Sequence, residues 1–271
     1  MNKIVLITGA SSGIGWALAH VFAEHTFDVI VIARRRDRLQ ELKSKLEGTY
    51  GVRVWPMVCD LAQSNAAERI YQEVQSLDLP VEILVNNAGF GSFGAFYDIP
   101  YKILSDMAQV NIMSLMQLTR LFVPGMLQRR SGHILNVGSL AGFVPGPWMS
   151  VYFASKAFVL SFSEALAEEL EGSGVKVKVI CPGPVQTEFQ AVAYSGDKWM
   201  RVHQGIPSAE EVARFAYQAM QTRKVVAIPG KVNPFLPIVT RLLPRKIMTH
   251  LVALRQREQL RRYGNLWSPA D

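Results

Sequence analysis

The sequence predicts an α/β class fold, a doubly wound parallel sheet with helices on both faces, on three observations. Apolar runs of strand length alternate with longer stretches of helical pattern. Each step from run to run has the length that a right-handed crossover between parallel strands requires. A glycine-rich turn stands directly after the first run, where such folds bind ligands. The composition agrees: 271 residues, 49% hydrophobic and 19% charged, are ample for a buried core and exclude a disordered chain.

The elements follow in order. Ile4–Thr8 is the first strand, followed by a helix over Gly13–Glu24. Val29–Ala33 and the charged helix Arg36–Leu46 come next, then Val52–Cys59 and a helix from Asn65 to Leu77. Val81–Asn86 leads into a long helical stretch from Lys102 to Arg130, and Gly132–Val137 into a helix that ends at Gly172–Gly174. Val175–Ile180 is the sixth strand, Ala209–Gln221 a short helix and Lys224–Ile228 the seventh strand. Runs this uniformly apolar suit strands covered on both faces. Residues 1–230 therefore read as a single doubly wound domain; the turn and motifs that follow make it a dinucleotide-binding and catalytic domain, in which the irregular stretch near 188–207 is the expected substrate loop. Residues 231–271 read as a C-terminal helical extension, in which Pro234, Pro237 and Pro244 precede a basic helical stretch, Ile247–Arg262.

The turn after the first strand reads Thr8-Gly9-Ala10-Ser11-Ser12-Gly13-Ile14-Gly15. Glycines between a strand and a helix let the backbone approach a pyrophosphate, whose charge then rests on the helix N-terminus. After the second strand, where an acid would bind an NAD ribose, stand Arg34 and Arg35. Guanidinium groups fork onto a 2′-phosphate, so the expected cofactor is NADP(H); the plain alternative is a solvated basic helix start.

Ser139 is followed after twelve residues by Tyr152, and Lys156 lies four further on. Positions i and i+4 share one helix face, and an ammonium beside a phenol favours the phenolate. The oxygen so tuned can exchange a proton near neutral pH, which hydride chemistry at a carbonyl needs. Tyr-x-x-x-Lys alone is common on surface helices, and serine and threonine are ordinary turn residues.

Taken together these motifs resemble the short-chain dehydrogenase/reductase family, over about residues 3–230. Besides Thr8–Gly15, the resemblance rests on Asp60-Leu61, on Asn86-Asn87-Ala88-Gly89 after the fourth strand, on Asn111, and on Pro182-Gly183-Pro184-Val185-Gln186-Thr187. It implies a doubly wound Rossmann fold with Asn111, Ser139, Tyr152 and Lys156 as the catalytic set. Tyr152 then exchanges the proton, Ser139 holds the carbonyl oxygen, Lys156 lowers the tyrosine pKa and binds ribose hydroxyls, and Asn111 holds a water connecting Lys156 to solvent. Cofactor contacts are implied for Gly9, Ser11, Ser12, Gly13, Ile14, Gly15, Arg34, Arg35, Asp60, Leu61, Asn87, Ala88, Gly89, Tyr152, Lys156, Pro182, Gly183, Val185 and Thr187. The family also implies a homodimer or homotetramer built on helices Lys102–Arg130 and Val151–Glu171.

The function expected is NADPH-dependent reduction of an apolar ketone, aldehyde or 3-oxoacyl substrate. The alternatives are a hydroxysteroid-like alcohol dehydrogenase running oxidatively and a non-catalytic NADPH-binding sensor. Aromatic and apolar residues at the strand ends (Phe90, Phe93, Phe96, Phe143, Val144, Trp148, Phe189, Tyr194, Trp199) are the candidate substrate lining. The net charge of +7 permits phosphates or acidic lipids, but no motif points to nucleic acid. The basic extension suits packing on the protein or a subunit, or peripheral contact with an anionic membrane. Cys59 and Cys181 close apolar runs and read as buried thiols, and the five histidines lack metal-ligand spacing, so no metal is expected. Neither a signal-peptide core nor a run of about twenty apolar residues is visible, and a cytoplasmic location is expected.

Overall fold

The computed structural model describes residues 2–193, 206–230 and 236–263. Seven parallel strands form one sheet in the order β3-β2-β1-β4-β5-β6-β7. They are β1 (Ile4–Thr8), β2 (Asp28–Ala33), β3 (Val54–Val58), β4 (Val81–Asn86), β5 (Gly132–Val137), β6 (Val175–Ile180) and β7 (Val226–Ala227). The helices are α1 (Gly13–Glu24), α2 (Arg36–Tyr50), α3 (Ala66–Ser76), α4 (Tyr101–Ala108), α5 (Leu115–Arg129), α6 (Ser150–Glu169), α7 (Glu188–Ala193), α8 (Ala209–Met220), α9 (Leu236–Leu242) and α10 (Arg245–Tyr263).

Alternate residues of each central strand face opposite layers. Val5 and Ile7 pack against α1, α2 and α8, whereas Ile4 and Leu6 pack against α3 and α5. Two layers of helices thus bury both faces, which is why these strands are apolar without alternation. Strand order reverses between β1 and β4, and the crevice at that switch point is where the glycine turn opens.

Some boundaries differ from the sequence pattern. Helix α2 continues past Leu46 to Tyr50 and stops at Gly51, whose φ of 68° is left-handed. Strand β3 starts at Val54 rather than Val52, and β7 pairs through only two residues, as an edge strand supported from one side. The stretch Lys102–Arg130 is one continuous helix, Tyr101–Arg129, with a wide π-type turn at Gln109–Ser114 between α4 and α5. An 18-residue window of this 29-residue helix has mean hydropathy 1.2, so by length and composition alone it is apolar enough to cross a membrane, against the expectation that no run approaches that. The cause is its place beneath the sheet, where Leu118, Phe122 and Met126 are core residues.

The extension beyond Ile228 returns to the protein. Met248, Ala253 and Gln256 of α10 are buried, and the Arg257 guanidinium lies 5.6 Å from the Trp148 ring. A cleft of about 280 Å³ separates Phe143–Pro145 from Thr240, Arg245 and Met248. Helix α10 carries apolar residues on two faces, Met248 and Ala253 buried, Ile247, Leu251 and Leu254 exposed.

Candidate active site

The glycine turn is built for close approach. Gly9 and Gly13 have φ of 67° and 55°, which favours glycine. A side chain at Gly15 would put its Cβ 2.4 Å from Asn87 Nδ2 and from Gly9 O, and one at Gly9 2.8 Å from Ala88 Cα. Thr8 ties the turn to the next strand: its hydroxyl donates to Val85 O and accepts from the amides of Asn87 and Ala88, at 3.0 Å each. Asn87 Nδ2 completes the seam by donating to Thr8 O and Gly9 O. The first turn of α1 has no acidic residue and no side-chain cap, which leaves its amides to a ligand of negative charge.

Ser11 and Ser12 flank this turn. Arg35 donates from Nε and Nη2 to Ser11 Oγ (3.3 and 3.2 Å) and from Nη2 to Glu188 Oε2 at 2.9 Å. Partial burial pushes the Glu188 carboxyl up, but hydrogen bonds from Arg35 and Ser12 outweigh it and hold the group below the usual range. Arg34 is exposed beside it. On the other flank Asp60 accepts from the Ala62 amide, and Leu61, buried, offers its carbonyl to Ser114 at 2.8 Å.

Asn111 lies in the π-type turn, only 1% exposed. Its Oδ1 accepts from the Phe90 amide (3.1 Å), and its Nδ2 donates to Phe90 O and to Ser155 Oγ, both at 3.0 Å. Ser155 in turn donates to Tyr152 O, so Asn111 is joined to the helix that carries the tyrosine. That helix, α6, is stapled to the sheet by a buried chain: Asn86 Nδ2 donates to Asn136 Oδ1, and Asn136 Nδ2 to Ser163 Oγ, both at 2.9 Å.

Lys156 is 6% exposed and donates to Val137 O at 2.8 Å, with its ammonium 5.9 Å from the Tyr152 ring centroid. Burial lowers its pKa from 10.5 to about 8, so it remains mostly charged at neutral pH. A Cβ on Gly89 would lie 3.1 Å from Asn111 Oδ1 and 3.5 Å from Lys156 Nζ, which places the Asn87–Gly89 loop at the centre of the constellation. Ser139 caps the short turn Leu140–Phe143 by accepting from the Ala141 amide at 3.1 Å. Its neighbours are pinned to the next strand end, Gly138 to Ile180 O and Leu140 to Pro182 O. The Pro182–Thr187 turn then folds back, burying Val185 and setting Thr187 Cγ2 3.0 Å from where a Cβ on Gly13 would be. Gly183 lies in this turn beside Pro182. The Asn87–Gly89 loop therefore runs from the phosphate turn, where Ala88 meets Gly9, to the Asn111–Lys156 pair beside Tyr152.

The substrate side is partly as the sequence suggested. Trp148, Tyr152, Phe153 and Phe189 pack around buried Phe93, Met149 and Ala193. Phe93 is thus core beneath the lining. Phe143 turns away toward Val159 and Leu160, and Phe96 points outward at 61% exposure. Neither forms part of that aromatic group. Tyr194 and Trp199 lie outside the described residues.

Comparison with known proteins now decides the family. The short chain dehydrogenase family model matches residues 3–198. The chain belongs to the short-chain dehydrogenase family. Among its relatives, the ketoacyl reductase HetN of Nostoc is 30% identical over 244 residues, 89% of this chain and 83% of that protein. The NADP-dependent 3-hydroxy acid dehydrogenase YdfG of Salmonella typhi is 38% identical over 72% of this chain and 77% of its own. A short-chain dehydrogenase from Sphingobium yanoikuyae in complex with NADPH superposes with a TM-score of 0.80 at 29% identity, covering 99% of this chain and 98% of that one.

This short-chain dehydrogenase is thus an oxidoreductase acting between CH–OH and C=O groups. Two contributors escaped sequence reading. Ser155, fully buried between Asn111 and the Tyr152 carbonyl, looked like an ordinary helical serine. Glu188, 153 residues from Arg35, gave no signal. Cys59 and Cys181 are buried free thiols, and burial pushes Cys181 up to about 12, so it is inert. Among the described residues no group of three potential metal ligands gathers.

Proposed function

We propose that this short-chain dehydrogenase is an NADPH-dependent carbonyl reductase for an apolar ketone, aldehyde or 3-oxoacyl compound. The observation that carries the reading is the buried Lys156 ammonium beside the Tyr152 ring, connected to the phosphate turn by the Asn87–Gly89 loop. The cradle fits a dinucleotide: no side chain has room at Gly9 or Gly15, and the turn opens on a helix start without acid. Arg34 and Arg35 beside Ser11 supply the cations that a 2′-phosphate requires. Neighbours solved with NADPH or NADP+ support the cofactor, and a very-long-chain 3-oxoacyl-CoA reductase from rat, 31% identical over 88% of this chain, supports the 3-oxoacyl class.

Bound NADPH supplies a hydride to the carbonyl carbon. The chain's own residues handle the oxygen. Tyr152 donates its phenolic proton as negative charge develops, and the Ser139 hydroxyl donates a hydrogen bond to the same oxygen. Lys156 stabilises the resulting phenolate and donates to ribose hydroxyls. Asn111, held by Phe90 and Ser155, orders the route by which a proton returns. Thr187 orients the carboxamide. The aromatic group around Trp148 and Phe189 receives the apolar part of the substrate. The enzyme acts in the cytoplasm as a homodimer or homotetramer through the Tyr101–Arg129 helix and α6.

Titrating the protein with NADPH and NADH by fluorescence, then adding apolar ketones and 3-oxoacyl thioesters, tests this. The expected result is selective NADPH binding and its oxidation by one substrate class. NADPH binding with no turnover on any compound would favour a sensor.

A further inference from the structure

We propose that the C-terminal extension docks the enzyme on an anionic lipid surface, with the substrate side of the fold beside the lipid. The inference rests on the reductase reading for its purpose but not for its observations. Residues 231–271 hold eight of the Lys and Arg residues and two of the Asp and Glu residues, so six of the seven net positive charges lie in this last segment. The preceding domain is close to neutral.

Helix α10 presents two apolar faces. Met248, Ala253 and Gln256 face the protein, whereas Ile247, Leu251 and Leu254 are about half exposed on the opposite arc. Their spacing of four and three makes one stripe along the helix. At 3.6 residues per turn, Lys246, His250 and Arg257 border that stripe on one side and Arg255 on the other, and Glu258 ends it. Leu242, at 77% exposure, extends the apolar surface onto α9. An apolar stripe between cations matches the boundary of an acidic bilayer, where alkyl groups enter and basic heads stay at the phosphates.

Charge chooses among occupants. A second copy placed face to face would bring two strongly positive extensions together, so self-association is opposed. An acidic lipid surface meets the same cations favourably. The position agrees: Arg257 stacks on Trp148, and Trp148 O accepts from the Gly94 amide at 2.9 Å. The segment after Gly94 exposes Phe96, Tyr97 and Tyr101, aromatic types that favour a membrane boundary. Trp148, part of the aromatic group on the substrate side, thus touches both α10 and the segment that leads to these exposed aromatic residues. An apolar carbonyl compound partitions into bilayers, so docking here brings the enzyme to its substrate.

The test is co-sedimentation of the full chain with phosphatidylcholine vesicles, with and without phosphatidylserine. Wild type is expected to partition onto the phosphatidylserine vesicles and to stay in solution with phosphatidylcholine alone. Leu251→Gln/Leu254→Gln should lower partitioning at least tenfold, and Lys246→Gln/Arg255→Gln roughly 30-fold. Both variants should keep wild-type melting temperatures and wild-type turnover of a water-soluble ketone in lipid-free buffer. Three results would overturn the proposal: no sedimentation with phosphatidylserine, sedimentation indifferent to Leu251 and Leu254, or an oligomer that the leucine variant dissociates. Failure of wild type to reduce any ketone without lipid, while vesicle binding holds, counts against the reductase reading and not against docking.

Discussion

Lys156 and Lys178 are both sealed in the interior, at 6% and 3% exposure, and burial lowers the pKa of both. Their hydrogen bonds differ. Lys178, on β6, donates to two backbone carbonyls, those of Thr222 and Lys224, and so fastens the turn that precedes β7. Lys156 has one acceptor among the described residues, Val137 O. An ammonium carries three donors. Lys178 thus commits two of its three donors to the backbone, whereas Lys156, beside Tyr152, commits one, which suits the proposed contacts to a cofactor and a phenolate. Burial alone does not distinguish them; the count of committed acceptors does.

Replacing each lysine by methionine should separate the two roles, and the largest effect is on catalysis. Lys156→Met and Tyr152→Phe are each expected to lower kcat about 10³-fold, while Lys178→Met leaves kcat within about twofold if the fold survives, because general acid–base chemistry does not pass through it. NADPH binding should persist in Tyr152→Phe. A Lys178→Met enzyme as inactive as Lys156→Met would end the distinction.

Stability should move the opposite way. The Lys156 pKa falls from 10.5 unfolded to about 8 folded, so the unfolded chain binds more protons between those values. Its burial penalty is fully present below pH 8 and is relieved as pH rises toward 10.5, and at neutral pH it amounts to about 3 kcal/mol. Lys156→Met is therefore expected to be more stable than wild type at pH 7 by up to about 3 kcal/mol, with the gap closing as pH rises through that window. Cys181, pushed up to about 12 by burial, acts in the reverse sense above pH 9 and is coupled to the Lys156 charge, so the comparison is made below pH 9. Lys178→Met, by contrast, strands two carbonyls, and after relief of its own burial penalty a net loss of about 1–2 kcal/mol is expected in urea unfolding.

Which of these features a reader of the sequence can find follows from their range along the chain. Tyr152 and Lys156 were visible because one helical turn connects them, and Gly9, Gly13 and Gly15 because a strand and a helix fix their context. The central strands were visible because both faces are buried, whereas β7, supported on one side, pairs through fewer residues than its apolar run suggests. The wide turn that holds Asn111 leaves no trace in a 3.6-residue periodicity. Phe96 was misplaced because burial of apolar residues is a one-way rule, and an aromatic residue in a loop can be exposed. The two faces of α10 could be separated only once Met248 and Gln256 were seen to face inward. Arg35 stood out in the sequence as a cation after the second strand, and it does meet Ser11 of the glycine turn, but its partner Glu188 lies 153 residues away and gave no sequence signal.

That partner supplies the smallest and most diagnostic test. The Arg35–Glu188 pair is about half exposed, at 43% and 53%, so its contribution to stability is within about 1 kcal/mol. Its electrostatic effect on binding is selective. A carboxylate fixed 2.9 Å from Arg35 draws the guanidinium from a 2′-phosphate and repels that phosphate directly. Glu188→Gln should therefore strengthen NADPH binding about two- to fivefold at low salt, leave NADH binding unchanged, and lose the gain as ionic strength rises. Weaker NADPH binding in this variant would show instead that Glu188 holds Arg35 where the phosphate needs it, with orientation outweighing repulsion.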